Sequence, residues 1–127
     1  MKLRIKGNSL RLRVSRSELA RLLVGGCVEE IIHFAPEAGA SFTYALQPQI
    51  STKSPTIQYA DSRASVFLPA DQAYLWGVTD QVGIAEEISL GGLGSLSLLI
   101  EKDFACLDRS DEDNPDTFSN PHAGATC

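Results

Sequence analysis

Five cations open the chain at alternating positions: Lys2, Arg4 and Lys6, then Arg11 and Arg13. On an extended backbone alternate side chains share a face, so these residues would form one positive strip. Such a strip can hold a carboxylate, a phosphate or a nucleic-acid backbone, and its five residues are the anion-binding candidates. A second cluster lies near the other end, in Glu101-Lys102-Asp103-Phe104-Ala105-Cys106-Leu107-Asp108-Arg109. Cys106 is the candidate nucleophile there, and a working thiol needs a histidine base within reach. No motif ties His33 or His122 to it, and Asp103 and Asp108 would oppose thiolate formation, an effect that Lys102 or Arg109 could offset. Asp108, Asp111 and Asp113, with Asp116, offer oxygen donors to a divalent metal. Their spacing misses the calcium-loop pattern, because Asp116 stands where glycine is required and His122 where glutamate is. A solvated acidic segment is the plainer reading, so no catalytic residue, metal or cofactor is assigned.

The strip needs a hairpin to carry it. Leu3, Ile5, Leu10, Leu12 and Val14 alternate with the cations on both sides of Gly7-Asn8, a turn dipeptide. The simplest register sets Lys6 opposite Ser9, Arg4 opposite Arg11 and Lys2 opposite Arg13. Like charges directly opposite destabilise a sheet unless an anion covers them. Seven of the sixteen acids lie between Glu101 and Asp116, so the chain can answer its own basic start from its acidic end.

Further on, Ser15-Arg16-Ser17-Glu18 is a capping box, Leu19, Leu22 and Leu23 form a helical stripe, and Gly25-Gly26 ends it. Strands are predicted over Cys27–Phe34 and Ser41–Gln49, and one or two over Thr56–Leu68, broken near Asp61-Ser62. Pro69 suits the first position of a short helix over Ala70–Trp76, closed by Gly77. Val82–Leu90 and Leu96–Phe104 read as a second hairpin across Gly91-Gly92-Leu93-Gly94. Val14–Leu19 aligns with Leu68–Ala73 at an offset of 54 residues, and continued without a gap this sets Val28 against Val82. The spacing predicts a pseudo-twofold strand–helix–strand repeat.

The fold class expected is therefore mainly β, barrel-like or α+β, made of antiparallel hairpins with two short helices. One domain is expected over 1–107 and an acidic, flexible tail over 108–127. The 127 residues hold an apolar fraction of 43%, enough for a core without metal or disulfide. The three cysteines Cys27, Cys106 and Cys127 have no pairing motif; Cys27 is expected to be a buried thiol. No apolar run approaches a membrane span and the alternating start is unlike a signal peptide, so the expected location is the cytoplasm.

Met1–Arg13, Asp80-Gln81-Val82-Gly83 and Glu101–Arg109 resemble a family of small uncharacterised bacterial proteins, a domain of unknown function. The resemblance implies a bacterial source and carries no activity to any residue. Leu68–Ile84 is similar to the swapped-hairpin unit of small bacterial transcription regulators. Functionally, the leading expectation is a non-catalytic β-barrel module that associates with itself or with a protein partner. A small-molecule anion-binding protein or enzyme using the basic hairpin and Cys106 is the alternative. Nucleic-acid binding through the hairpin is the third reading. The net charge of −5 and the lack of aromatics among the cations argue against it.

Overall fold

The opening hairpin sets the pattern for the whole chain. A computed structural model describes residues 1–105 and 116–119. Strands β1 (Lys2–Lys6) and β2 (Ser9–Val14) pair antiparallel with Lys2 opposite Arg13, Arg4 opposite Arg11 and Lys6 opposite Ser9. This is the register that the alternation predicts. Helix α1 (Arg16–Leu23) follows, with both capping-box bonds formed between Ser15 and Glu18. The chain then crosses to a second sheet for β3 (Val28–His33) and β4 (Ser41–Gln49).

The second half repeats this path. Strands β5 (Thr56–Ala60) and β6 (Arg63–Pro69) form a hairpin, α2 (Ala70–Val78) crosses over, and β7 (Gly83–Ser89) and β8 (Ser95–Lys102) complete the first sheet. Each sheet thus holds one hairpin from each half. The order is β1-β2-β8-β7 in one and β3-β4-β6-β5 in the other, joined at the centre by the parallel pairs β2–β8 and β4–β6. Among the described residues both sheets keep free edges and do not close, so the architecture is two open sheets rather than a barrel.

Register shows how strictly the halves correspond. Leu12 sits opposite Ile100 in one central pair and Val66 opposite Leu46 in the other, an offset of 54 residues on each strand. Val28 lies opposite Leu46 and Ile84 opposite Ile100, so β3 and β7 are offset by 56. Two residues are inserted between α2 and β7, and the gap-free match of Val28 with Val82 is corrected to Val28 with Ile84.

The core follows the same symmetry. Leu12 and Val66, Val14 and Leu68, Leu19 and Ala73, Leu22 and Trp76, Leu46 and Ile100, and Val28 and Ile84 are six equivalent pairs within one buried cluster. Where α1 supplies two leucines, α2 supplies a small and a large side chain. Such a swap keeps the filled volume roughly constant. The Trp76 indole is fully buried and donates to the Val82 carbonyl at 3.1 Å.

Three local expectations change. Pro69 ends β6 and stands just before α2, so the first helical residue is Ala70. Gly77 lies inside α2 rather than after it, and its helix position is equivalent to that of Leu23. A Cβ at Gly77 would lie 2.7 Å from both Leu23 Cδ atoms. Equivalent positions meet at a pseudo-axis, and two bulky side chains could not both occupy it. Cys27 precedes β3 and is only partly buried.

Of the segment read as a tail, residues 116–119 lie against the domain. The Asp116 carbonyl accepts from Arg16 N at 3.1 Å, and its carboxylate accepts from the amide and hydroxyl of Ser17. Phe118 pairs with Phe104, and the buried Lys102 lies over the Phe118 ring while donating to the Thr79 carbonyl.

Candidate functional site: a cationic sheet face

Pleating sends Leu12 and Val14 inward on β2, so Arg11 and Arg13 point outward, with Lys2, Arg4 and Lys6 beside them on β1. All five predicted cations therefore share the outer face of one sheet. The parallel partner β8 brings Ser97, Leu99 and Glu101 to that face, and β7 brings Ala85 and Glu87.

Three of the five cations are answered within the fold. Glu101 Oε1 accepts from Arg11 Nε at 2.5 Å and from Arg13 Nε at 3.0 Å. Lys2 Nζ lies 2.9 Å from Asp103 Oδ2. Both carboxylates are well buried, with side-chain exposures of 12% and 8%, so these pairs are better shielded than a surface salt bridge. They relieve the like-charge contacts that the register imposes. Among the described residues Arg4 and Lys6 form no ion pair, and both are exposed.

Arg4, Lys6 and Arg11 wall one side of an open trough of about 550 Å³. Ala85 and Leu99 form its apolar floor, and Glu87 stands on the far side. Glu87 accepts from Ser97 Oγ at 2.5 Å and from Ser95 Oγ at 3.0 Å. The Ser97 bond, then the Ser95 bond, hold its carboxyl below the usual range, so it stays ionised. The trough is thus cationic on one side, apolar beneath and anionic opposite.

A second ionic cluster lies at the base of the hairpin. The Met1 ammonium is partly buried and contacts Glu18 Oε2 at 2.5 Å and Glu30 Oε1 at 3.1 Å. Tyr44 donates its hydroxyl proton to the Met1 carbonyl at 3.1 Å. Burial alone would lower the ammonium's proton affinity, but the bonds to Glu18 and Glu30 outweigh it and raise the pKa. Burial likewise opposes ionisation of Glu18, and the bond to the ammonium and that from Ser15 N outweigh it. Tyr44 is shifted upward by burial, then by the charges of Glu30 and Glu18. The cluster seats the first strand.

The remaining candidates do not join the face. Cys106, Asp108, Asp111 and Asp113 lie outside the described residues. Asp116 is engaged at the start of α1, and no group of three or more His, Cys, Asp or Glu side chains that could hold a metal occurs among the described residues. No helix among them is long and apolar enough to cross a membrane. Glu87, Ala85 and Leu99 escaped the sequence reading. The signal that could have found them is the repeat, because a twofold makes the β2–β8 pair the equivalent of β6–β4.

A family model described as a family of unknown function matches residues 1–122. No curated protein and no solved structure matches the chain. By the reach of that family match, the chain belongs to the family of unknown function DUF7009.

Proposed function

We propose that the protein is a non-catalytic interaction module whose cationic sheet face takes an acidic, extended segment of a protein partner. One observation carries the reading. The same scaffold is built twice, yet the cations occur on only one copy: Lys2, Arg4, Lys6, Arg11 and Arg13 are replaced on the other sheet by Thr56, Gln58, Ala60, Ser65 and Phe67. The fold stands without such a strip, so its charge is available for recognition. Arg4 and Lys6 alternate along β1, about 7 Å apart, which suits carboxylates at alternate positions of an extended chain. The Leu99–Ala85 floor suits an adjacent apolar side chain. Glu87 and Glu101 within the face work against nucleic acid, whose affinity rests on neutralising many phosphates.

The probe is a labelled peptide with Asp, Asp and Leu at alternate positions, titrated by fluorescence anisotropy at low and physiological salt. Arg4→Glu/Lys6→Glu is expected to weaken binding roughly fivefold to thirtyfold, as two exposed ion pairs contribute about 1–2 kcal/mol together. Glu101→Gln frees Arg11 and Arg13 and is expected to tighten it. Binding indifferent to both changes, or a preference for a DNA duplex of equal charge, would overturn the reading.

A further inference from the structure

Among the described residues the two sheets leave four strand edges, and their charge content differs. β1 carries Lys2, Arg4 and Lys6; β3 carries Glu29 and Glu30; β7 carries Glu86 and Glu87. Strand β5, Thr-Ile-Gln-Tyr-Ala, carries no charge and no proline. An edge strand offers unpaired amides and carbonyls to any matching chain, and charged side chains are the usual protection. Three edges have that protection and one lacks it.

We infer that β5 is a self-association edge, and that two copies of this chain pair there antiparallel about a twofold axis through Gln58. The tight Asp61-Ser62 turn, with φ of 53° and 58° at its two residues, closes the hairpin at Ala60–Arg63. In a hairpin of this kind the closing pair is hydrogen-bonded and the bonding alternates along the strand. Thr56, Gln58 and Ala60 therefore spend their backbone groups on β6. Ile57 and Tyr59 direct theirs to the open edge. Around an axis at Gln58, Ile57 of one copy stands opposite Tyr59 of the other, and each pair exchanges two backbone bonds.

The side chains agree with this register. On the outer face Gln58 meets its own copy, and Thr56 meets Ala60. On the inner face Ile57 meets Tyr59, a residue 69% exposed in the single chain. Aromatic–β-branched pairs stabilise antiparallel neighbours. Applied to β1, the same register would set Arg4 against Arg4 and Lys2 against Lys6, and like charges directly opposite repel. The equivalent edge of the other half is thus closed to self-pairing by the cations that form the binding face. A twofold contact uses the same patch on both copies and stops at a dimer.

Sedimentation velocity over a concentration series, with amide exchange at Ile57 and Tyr59, tests the inference. Wild type is expected to pass from monomer to dimer, with exchange at both amides slowing as concentration rises. Gln58→Lys sets two lysines face to face and is expected to abolish the dimer. Its fold should persist, because the equivalent Arg4 already holds a cation on the same scaffold. Gln58→Glu is expected to behave alike. Mixing the two variants should restore a dimer through Lys–Glu pairing, which a folding defect would not do. A wild type that stays monomeric throughout, a dimer untouched by Gln58→Lys, or open-ended assembly would overturn it. Peptide binding on the other sheet is measured separately, and Gln58→Lys should leave it unchanged, so either idea can fail alone.

Discussion

The two outer sheet faces are equivalent in backbone and opposite in chemistry. One gathers Lys2, Arg4, Lys6, Arg11 and Arg13 around Glu101 and Asp103. The other has threonine, glutamine, alanine, serine and phenylalanine at the equivalents of the five cations, and Gln47 where the first has Glu101. Among its described ion pairs is Arg63–Glu29 at 2.5 Å. Inside, the halves match pair by pair. Interior positions answer to volume and to water exclusion, so they tolerate only swaps that preserve both. Exterior positions on a paired sheet answer to little beyond β propensity and the avoidance of like-charge contacts. The difference separates what builds the fold from what decorates it; two substitutions sharpen that separation by carrying a residue from one half to the other, and a third tests the contrast between the two hairpin turns.

The largest effect is expected at the pseudo-axis, the one place where equivalence must fail. Gly77→Leu gives α2 the residue that α1 has at Leu23, and two leucines then compete for one space. Overpacking of this kind costs roughly 1–3 kcal/mol, against a helix gain of about 0.8 kcal/mol over glycine. A net loss of up to about 2 kcal/mol is expected by urea denaturation. Leu23→Gly on its own should be destabilising too, through lost packing and a glycine in α1. The double variant reverses the knob and the gap, and is expected to recover most of the overpacking cost. If Gly77→Leu is neutral, the helices can slide apart and the crossing is less constrained than the 2.7 Å approach implies.

The next effect is smaller and depends on pH. Glu18 seats the first half through the partly buried ammonium, whereas the equivalent residue of the second half is Gln72, which has no ammonium to meet. Because the folded pKa of Glu18 lies below the ordinary glutamate value of 4.5, its contribution is complete above that value and is lost as the pH falls through the folded pKa. The Met1 ammonium is displaced the other way. Its contribution is complete below the ordinary α-amino value of 8.0 and is lost as the pH rises through the higher folded pKa. Thermal stability should therefore be flat between these limits and fall beyond each. Glu18→Gln is expected to lower the plateau by about 1 kcal/mol and to flatten both flanks. An unchanged alkaline flank in that variant would mean that Glu30 alone holds the ammonium.

What could be read from the sequence was mostly local. The β1–β2 register, the Ser15–Glu18 capping box and the limits of β4 at Ser41 and Gln49 each depend on neighbours within a few residues. The repeat was legible as well, because Val14–Leu19 and Leu68–Ala73 have kept the same caps and apolar spacing. What escaped was long-range. Nothing near Arg11 in sequence announces that Leu99 will stand beside it, since parallel pairing across the halves leaves no local mark. The expected barrel gave way to open sheets for the same reason, closure being a property of strand order. Gly77 misled because a glycine near a helix end usually marks the end. Here its lack of a side chain admits Leu23.

The smallest effect compares the two hairpin turns. Gly7-Asn8 and Asp61-Ser62 occupy equivalent places, 54 residues apart, and Gly7 takes its positive φ of 55° without strain. Asp61 and Ser62 adopt φ of 53° and 58° with side chains that disfavour that region. Aspartate tolerates it better than serine does, because its carboxylate can bond locally to the backbone. Ser62→Gly removes the steric cost in the folded state but adds freedom to the unfolded chain. The first term is the larger where φ is positive, so a gain of about 0.5 kcal/mol is expected. The Ser62 carbonyl, which accepts from Thr43 N at 2.9 Å, survives the change. Denaturant midpoints of Ser62→Gly and Ser62→Ala decide the matter, since alanine keeps the Cβ and loses only the hydroxyl. A gain with glycine alone assigns the strain to the Cβ, whereas an equal gain with both would place it in the hydroxyl and remove the contrast between the turns.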